Sequence, residues 1–346
     1  MSDSLYASNP FSPIPGVVPG SFAGRDLLIR NLTEALQSPD PSIELLGALI
    51  GPTGSGKTSF LNHAESIARE GSWLTGFVTC SDHLIDDAFD LLAKQAESKG
   101  IDLSLDDTAN CRLRLSLYAE RAQEAGLGLF LAVDDVYGEC EALLELSDAV
   151  SHVVSKGGRV AYLVSGESYA FDAVAQRHGC SFLGSLPRNV LDAIDSDAVS
   201  EYLNALIKAS GRSISPNSLS LAADATGGYA LMIQLVGYHI WRQHPDQERI
   251  SRDDVRSGID LASRDFYDRA IRRTLLDLSD KDRAFLQAMA QADGPSKMSD
   301  VASSLGVSTG YARMYKKRLA DRGLVYSPRR GYVDYVLPFV REQIAD

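Results

Sequence analysis

Eight consecutive residues, Gly51-Pro52-Thr53-Gly54-Ser55-Gly56-Lys57-Thr58, set three glycines, a lysine and a closing threonine, Thr58, directly after a largely apolar run, residues 43–50. Glycines at this spacing let backbone N–H groups turn onto phosphate oxygens with no Cβ in the way. The lysine supplies charge to the terminal phosphates, and the threonine hydroxyl supplies an oxygen ligand for magnesium. The stretch fits G-x-x-x-x-G-K-[ST] between an expected strand and a helix expected from Lys57, whose N-terminal dipole favours the same anion. Ser59, in the first turn of that helix, joins the phosphate-binding group.

A second candidate lies downstream. Leu127-Gly128-Leu129-Phe130-Leu131-Ala132-Val133 is an apolar strand followed by Asp134 and Asp135. Ligands of parallel sheets sit at the carboxyl ends of the strands, which places both carboxylates beside the phosphate loop. Asp134 would hold magnesium through water, and Asp135 would orient an attacking water as general base. A further strand, residues 159–165, ends at Ser165, a candidate to touch a terminal phosphate.

These side chains need a scaffold. Expected strands at 43–50, 73–80, 127–133 and 159–165 alternate with expected helices at 57–69, 85–99, 111–125 and 139–154. Strands that are apolar nearly throughout, separated by helices, imply a parallel sheet covered on both faces. Ahead of it, residues 9–24 carry four prolines and form an extended lead-in, followed by a helix over 26–37. Beyond Arg188 the pattern turns helical. The chain divides into residues 1–190 for the α/β core with its lead-in, 191–272 for a helical lid, and 273–346 for a C-terminal domain.

The C-terminal segment has a different character. Ser279 and Asp282 stand at capping-box spacing ahead of Phe285, Leu286 and Met289. Residues 299–337 then read as helix, a turn at Gly306, helix, and a two-stranded wing. On a helix over 308–322, Tyr311, Ala312, Tyr315 and Leu319 are expected to pack inward. Arg313 and Lys317 point outward, flanked by Thr309 and Lys316. Residues 307–333 hold seven basic side chains against Asp321, a net +6 that leaves −18 for the rest of a chain whose total is −12. That asymmetry suits duplex DNA, with the helix in the major groove and Arg329 and Arg330 at the wing tip on the backbone. The competing reading docks the basic helix on the chain's own acidic core.

Composition sets further bounds. At 346 residues, with 45% hydrophobic and 23% charged side chains, the chain is long enough for two or three ordinary globular domains. No apolar run reaches the roughly eighteen residues of a membrane span, so no membrane partner is expected. Cys80, Cys111, Cys140 and Cys180 are far apart with no metal-binding spacing, which predicts neither a zinc site nor a disulfide framework. The first ten residues lack the build of a secretory signal, and a cytoplasmic location is expected.

Taken together, Phe22-Ala23-Gly24-Arg25-Asp26, the phosphate loop, the strand ending in Asp134-Asp135, Ser165, and residues 225–237 resemble the AAA+ ATPases. The likeness is to the branch shared by replication-initiator-like (origin-recognition type) ATPases and STAND signalling ATPases, and it covers nearly the whole chain. It is nearest to bacterial ATP-binding proteins with a C-terminal winged helix. The resemblance implies an α/β fold, a P-loop (ASCE/AAA+) parallel sheet with helices on both faces, then an all-α lid and a winged helix. It implies ATP or ADP with Mg2+ as ligands, adenine bordered by Pro19, Phe22, Ala23 and Gly24, and Arg25 fixing that segment to the core. It also implies self-association, with Arg188 or Arg177 reaching the neighbouring subunit's nucleotide. Two departures stand out. Asp134-Asp135 replaces the family's frequent Asp-Glu, which implies slow hydrolysis and a nucleotide-driven switch. Ala230 replaces a common proline, and Gln234 stands near where relatives carry a sensor arginine. The leading expectation is a DNA-binding ATPase, and the alternative is a STAND-like switch with an internally packed winged helix.

Overall fold

The computed structural model describes residues 8–104, 110–137, 140–175, 181–272, 275, 278–292, 294–322, 324–336 and 340–344. Five parallel strands form the central sheet: β1 (Leu46–Ile50), β2 (Trp73–Thr79), β3 (Gly128–Val136), β4 (Val160–Gly166) and β5 (Arg188–Val190), in the order β2-β3-β4-β1-β5. Helices α1 (Asp26–Gln37), α2 (Lys57–Glu70), α3 (Leu84–Ser98), α4 (Cys111–Glu124) and α5 (Glu141–Ser155) cover it. The strands alternate strictly between two buried layers. Tyr162 and Val164 of β4 enter one, while Ala161 and Leu163 enter the other. A strand buried on both faces has no use for a polar residue until its end, which is why its sequence is apolar throughout.

Two strand boundaries shift by three residues from expectation. Residues Ile43–Leu45 form a 3-10 turn whose Ser42 side chain accepts from the Glu44 N–H, so β1 starts only at Leu46. Strand β3 does not stop at Val133. It continues to Val136 through a bulge, in which Asp135 has φ 58, the left-handed conformation that aspartate tolerates better than most side chains.

After α6 (Ser168–Ala175), α7 (Ser181–Ser185) and β5, the chain enters α8 (Ser196–Ala209), β6 (Ser213–Ile214), α9 (Pro216–Asp224), α10 (Ala230–Arg242), β7 (Arg249–Ile250) and α11 (Arg252–Phe266). Helix α11 runs directly into a π-helical turn, Tyr267–Ile271. The C-terminal region follows as α12 (Asp280–Ala290), β8 (Ser296–Lys297), α13 (Met298–Ser304), α14 (Thr309–Asp321), β9 (Val325–Tyr326), β10 (Tyr332–Tyr335) and α15 (Val340–Ile344). Its three strands pair antiparallel in the order β8-β10-β9. Helices α8 to α11 and this region share one continuous buried cluster, from Val199 and Met232 to Phe285, Leu319 and Ile344.

Cys80, Cys111 and Cys140 are free and buried, while Cys180 lies outside the described residues. Among the described residues no helix is long and apolar enough to cross a membrane.

Candidate functional site

The register of the sheet assembles the site. Strand β4 lies between β1 and β3, with Leu49 opposite Ser165 and Ile50 opposite Gly166 on one side and Val133 opposite Val164 on the other. The carboxyl ends of β1, β4 and β3 therefore present Gly51, Ser165 and Asp134 side by side. Asp134 is buried at 7% exposure, and two hydroxyls satisfy its carboxylate. Thr58 Oγ1 donates to Oδ2 at 2.7 Å, and Ser165 donates to Oδ1. Ser165 is itself completely buried, so it props the carboxylate from beneath rather than projecting from the strand end. Its Oγ also accepts from the Asp135 N–H at 3.4 Å, which steadies the bulge. Asp135 is exposed and turned by that bulge toward the mouth of the site.

The phosphate loop takes its shape from Gly54 at φ 82 and Gly56 at φ 96, the latter capping α2. Both angles lie where a Cβ is strained, so the conformation demands glycine. Gly51 has a steric role instead, because a Cβ there would fall 2.5 Å from Ser55 Oγ. Lys57 Nζ donates to the Gly51 and Pro52 carbonyls at 2.7 and 3.0 Å. Burial pulls its pKa down from the ordinary lysine value, against the opposing attraction of Glu167, Asp134 and Asp135. An anion placed in the loop would restore that charge.

A cavity of about 740 Å³ opens over the loop, lined by Thr53–Phe60, Asp134 and Asp135 on the core side. Its opposite wall is the proline-rich lead-in with the lid. Pro19, Phe22, Ala23 and Arg25 line it, whereas Gly24 does not. Gly24 instead turns the chain at φ 60, with Ile194 against the place a Cβ would take. Phe22 packs on α2 beside Phe60 and His63, with centroids 6.4 and 5.2 Å away. Arg25 donates to the Asp192 carbonyl, joining the segment to the chain after β5. From the lid, the Leu231 N–H donates to the Gly54 carbonyl at 2.9 Å.

Further side chains join the site through contacts that no local sequence pattern signals. Residues 9–16 form a strap across the cavity. Phe11 is buried against Gly237 of α10, where an added Cβ would stand 2.3 Å from its ring. The Ser12 N–H donates to Gln234 Oε1 at 3.0 Å, and Gln234 Nε2 donates to the Tyr202 hydroxyl at 2.7 Å. Gln234, near the expected position of a sensor arginine, therefore clamps the strap to α8 and α10. Arg269, on the π turn, lines the cavity and donates to the Pro13 carbonyl at 2.7 Å. Asn62 of α2 donates to the Gly16 carbonyl at 2.6 Å. On the loop's other flank, the Thr53 hydroxyl donates to Glu167 Oε1 at 2.8 Å. The only sequence signal for Glu167 was its place two residues after Ser165.

Arg188 pairs with Asp172 of α6 at 2.7 Å. It faces a second cleft, of about 1000 Å³, between Gly51, Pro52, Ser55 and the C-terminal region. Arg177 lies outside the described residues.

On α14, Ala312, Tyr315 and Leu319 are buried as expected, but Tyr311 is not. It stands 43% exposed at the margin of the buried face, its ring edge-on to Tyr315 at 5.2 Å. Thr309, Arg313, Lys317, Arg329 and Arg330 are exposed, and Lys316 is half-buried. Arg318 grips the buried Asp282 from both Nε and Nη2, and Arg329 stacks on Tyr332 at 3.8 Å.

Solved structures share this architecture. The Walker-type ATPase PABY2304 of Pyrococcus abyssi is similar over 97% of this chain and 99% of its own, with 15% identity and a TM-score of 0.72. The ORC2 protein of Aeropyrum pernix in its ADPNP-ADP complexes matches over 96% of this chain and 94% of its own, with 15% identity and a TM-score of 0.66. Cdc6p from Pyrobaculum aerophilum covers 96% of both chains, with 18% identity and a TM-score of 0.53. The chain shares the fold of these three proteins. A family model described as a domain of unknown function, DUF8462, matches residues 268–344 of this chain, beginning at the π turn. No curated protein matches the sequence.

Proposed function

We propose that the protein is a magnesium-dependent AAA+ ATPase that binds duplex DNA through a C-terminal winged helix. The observation that carries the ATPase reading is the hydrogen-bonded chain Thr58–Asp134–Ser165 beside Lys57, at the base of the cavity. The residues fit both ligands. Left-handed glycines let the loop backbone turn N–H groups toward phosphate oxygens. Among the described residues no cluster of three or more His, Cys, Asp or Glu side chains could enclose an ion. A threonine hydroxyl and one carboxylate suit magnesium, which completes its shell with water and phosphate. Bound there, the ion would neutralise charge developing on the phosphates.

The residues divide the work. Lys57 would leave its carbonyl partners for the terminal phosphates, Thr58 would ligate the metal, and Asp134 would hold it through water. Ser165 keeps the Asp134 carboxylate turned inward. Asp135 orients water, and its short, exposed side chain on a left-handed backbone favours slow turnover. The strap and lid border the base.

The DNA reading rests on the exposed cations of α14 and the β9–β10 tip, in the element order of a winged helix. The alternative, a nucleotide switch whose winged helix packs internally, draws on the buried core this region shares with the lid and on the Tyr229 hydroxyl donating to the Val336 carbonyl. One calorimetric experiment with two arms tests both. Lys57→Ala should abolish ATP binding, and unchanged binding would refute the site. The wild type should bind duplex DNA with a steep salt dependence that Arg313→Glu with Lys317→Glu removes. Absence of duplex binding at low salt would leave the internally packed switch.

A further inference from the structure

The outward face of α14 contains more than charge. Gly310, Arg313, Met314 and Lys317 share it, one turn after another, opposite the buried Ala312, Tyr315 and Leu319. Met314 is 66% exposed, more than any other large apolar side chain among the described residues. It therefore contributes little to the core, and on a solvated helix a charged residue would serve solubility better. Gly310 is equally unexplained by packing. A Cβ there would meet nothing nearer than Ser308 Oγ, at 3.9 Å, and its φ lies outside the left-handed region. Glycine is the poorest helix former after proline, so a fold-only account would place almost anything else here. A bare backbone at the start of a helix does permit close approach to a large partner. Arg318 is committed to Asp282, whereas among the described residues Arg313 and Lys317 have no ion-pair partner.

This combination matches the chemistry of a base-pair edge. Guanine offers two acceptors to a forked guanidinium, and thymine offers a methyl group to an apolar side chain. Neighbours on the helix would meet neighbouring base pairs. Resting on the reading of this region as DNA-binding, we propose that the Gly310–Arg313–Met314–Lys317 face reads sequence. Met314 contacts a thymine methyl, Arg313 takes the adjacent guanine, Gly310 lets the helix seat in the groove, and Lys317 anchors a phosphate.

The test is to select a duplex from a fully randomised library with the full chain, then measure its affinity by fluorescence anisotropy alongside a copy in which deoxyuridine replaces thymidine. Uracil pairs as thymine does but lacks the methyl. The recovered sequences should contain a T·A pair beside a G·C pair. The wild type should bind the uracil copy about fourfold more weakly for each lost methyl contact. Met314→Ala should lose that factor on the thymine duplex and treat both copies alike, and Arg313→Ala should lose the guanine preference. Met314 is exposed, so the variant should unfold at the wild-type temperature. Equal wild-type affinity for both copies, or a difference that persists in Met314→Ala, overturns the proposal while leaving DNA binding intact. Failure to retain any duplex at low salt overturns the DNA-binding reading itself.

Discussion

In the proposed ATP site, Lys57 is the residue whose protonation a bound phosphate would change. Burial lowers its pKa in the folded chain. In the window between that depressed value and the ordinary one, the unfolded chain holds the extra proton, so stability gains as pH rises. Phosphate reverses the balance by favouring the charged amine, which makes ATP binding take up a proton on the alkaline side. ATP affinity should therefore fall as pH rises through the depressed value. Calorimetry in two buffers of unlike ionisation enthalpy should register the uptake, and affinity that ignores pH across this range would contradict the role given to Lys57. At this scale the sequence was most informative, because the loop's chemistry is complete within eight neighbouring residues. Ser165 was less legible, since its hydroxyl turns toward Asp134 only once β4 lies between β1 and β3.

Among the elements, the strap has the most direct bearing on binding. Phe11 anchors it at 2% exposure, and replacing a buried phenylalanine by alanine removes about 3–5 kcal/mol of packing. Phe11→Ala should release the strap from α10 while leaving Thr58 and Asp134 in place. The expected signature is a KM for ATP raised by about tenfold or more with kcat nearly unchanged. A fall in kcat alone would mean that the strap acts on the chemistry instead. The proline-rich composition made this segment legible as extended chain, but not its destination. Ser12 and Gln234 are 222 positions apart, and Arg269 and Pro13 are 256 apart. No local pattern encodes pairings at such range. The strands and helices of the core were readable because each repeats its burial period within a few residues. The bulge at Asp135 was not, because strand pairing creates it.

At the scale of the molecule, the lid and the C-terminal region are joined by one core. A cavity opened in one part should therefore loosen the other. Leu286 of α12 is completely buried, and Leu286→Ala should cost about 2–5 kcal/mol. Hydrogen exchange should then show protection lost in α8 and α10 as well as in α12 and α14. Loss confined to residues after 275 would show two independent units. The π turn at Tyr267–Ile271 gains a meaning from this union. A helix wound one residue wide advances everything after it by about 100° relative to an uninterrupted α-helix. The same turn carries Arg269, which grips the strap at Pro13, and leads into the segment that ends in the basic helix. Angular phase thus ties the two ends of the chain together. Deleting one residue there would swing Arg269 off the strap at Pro13.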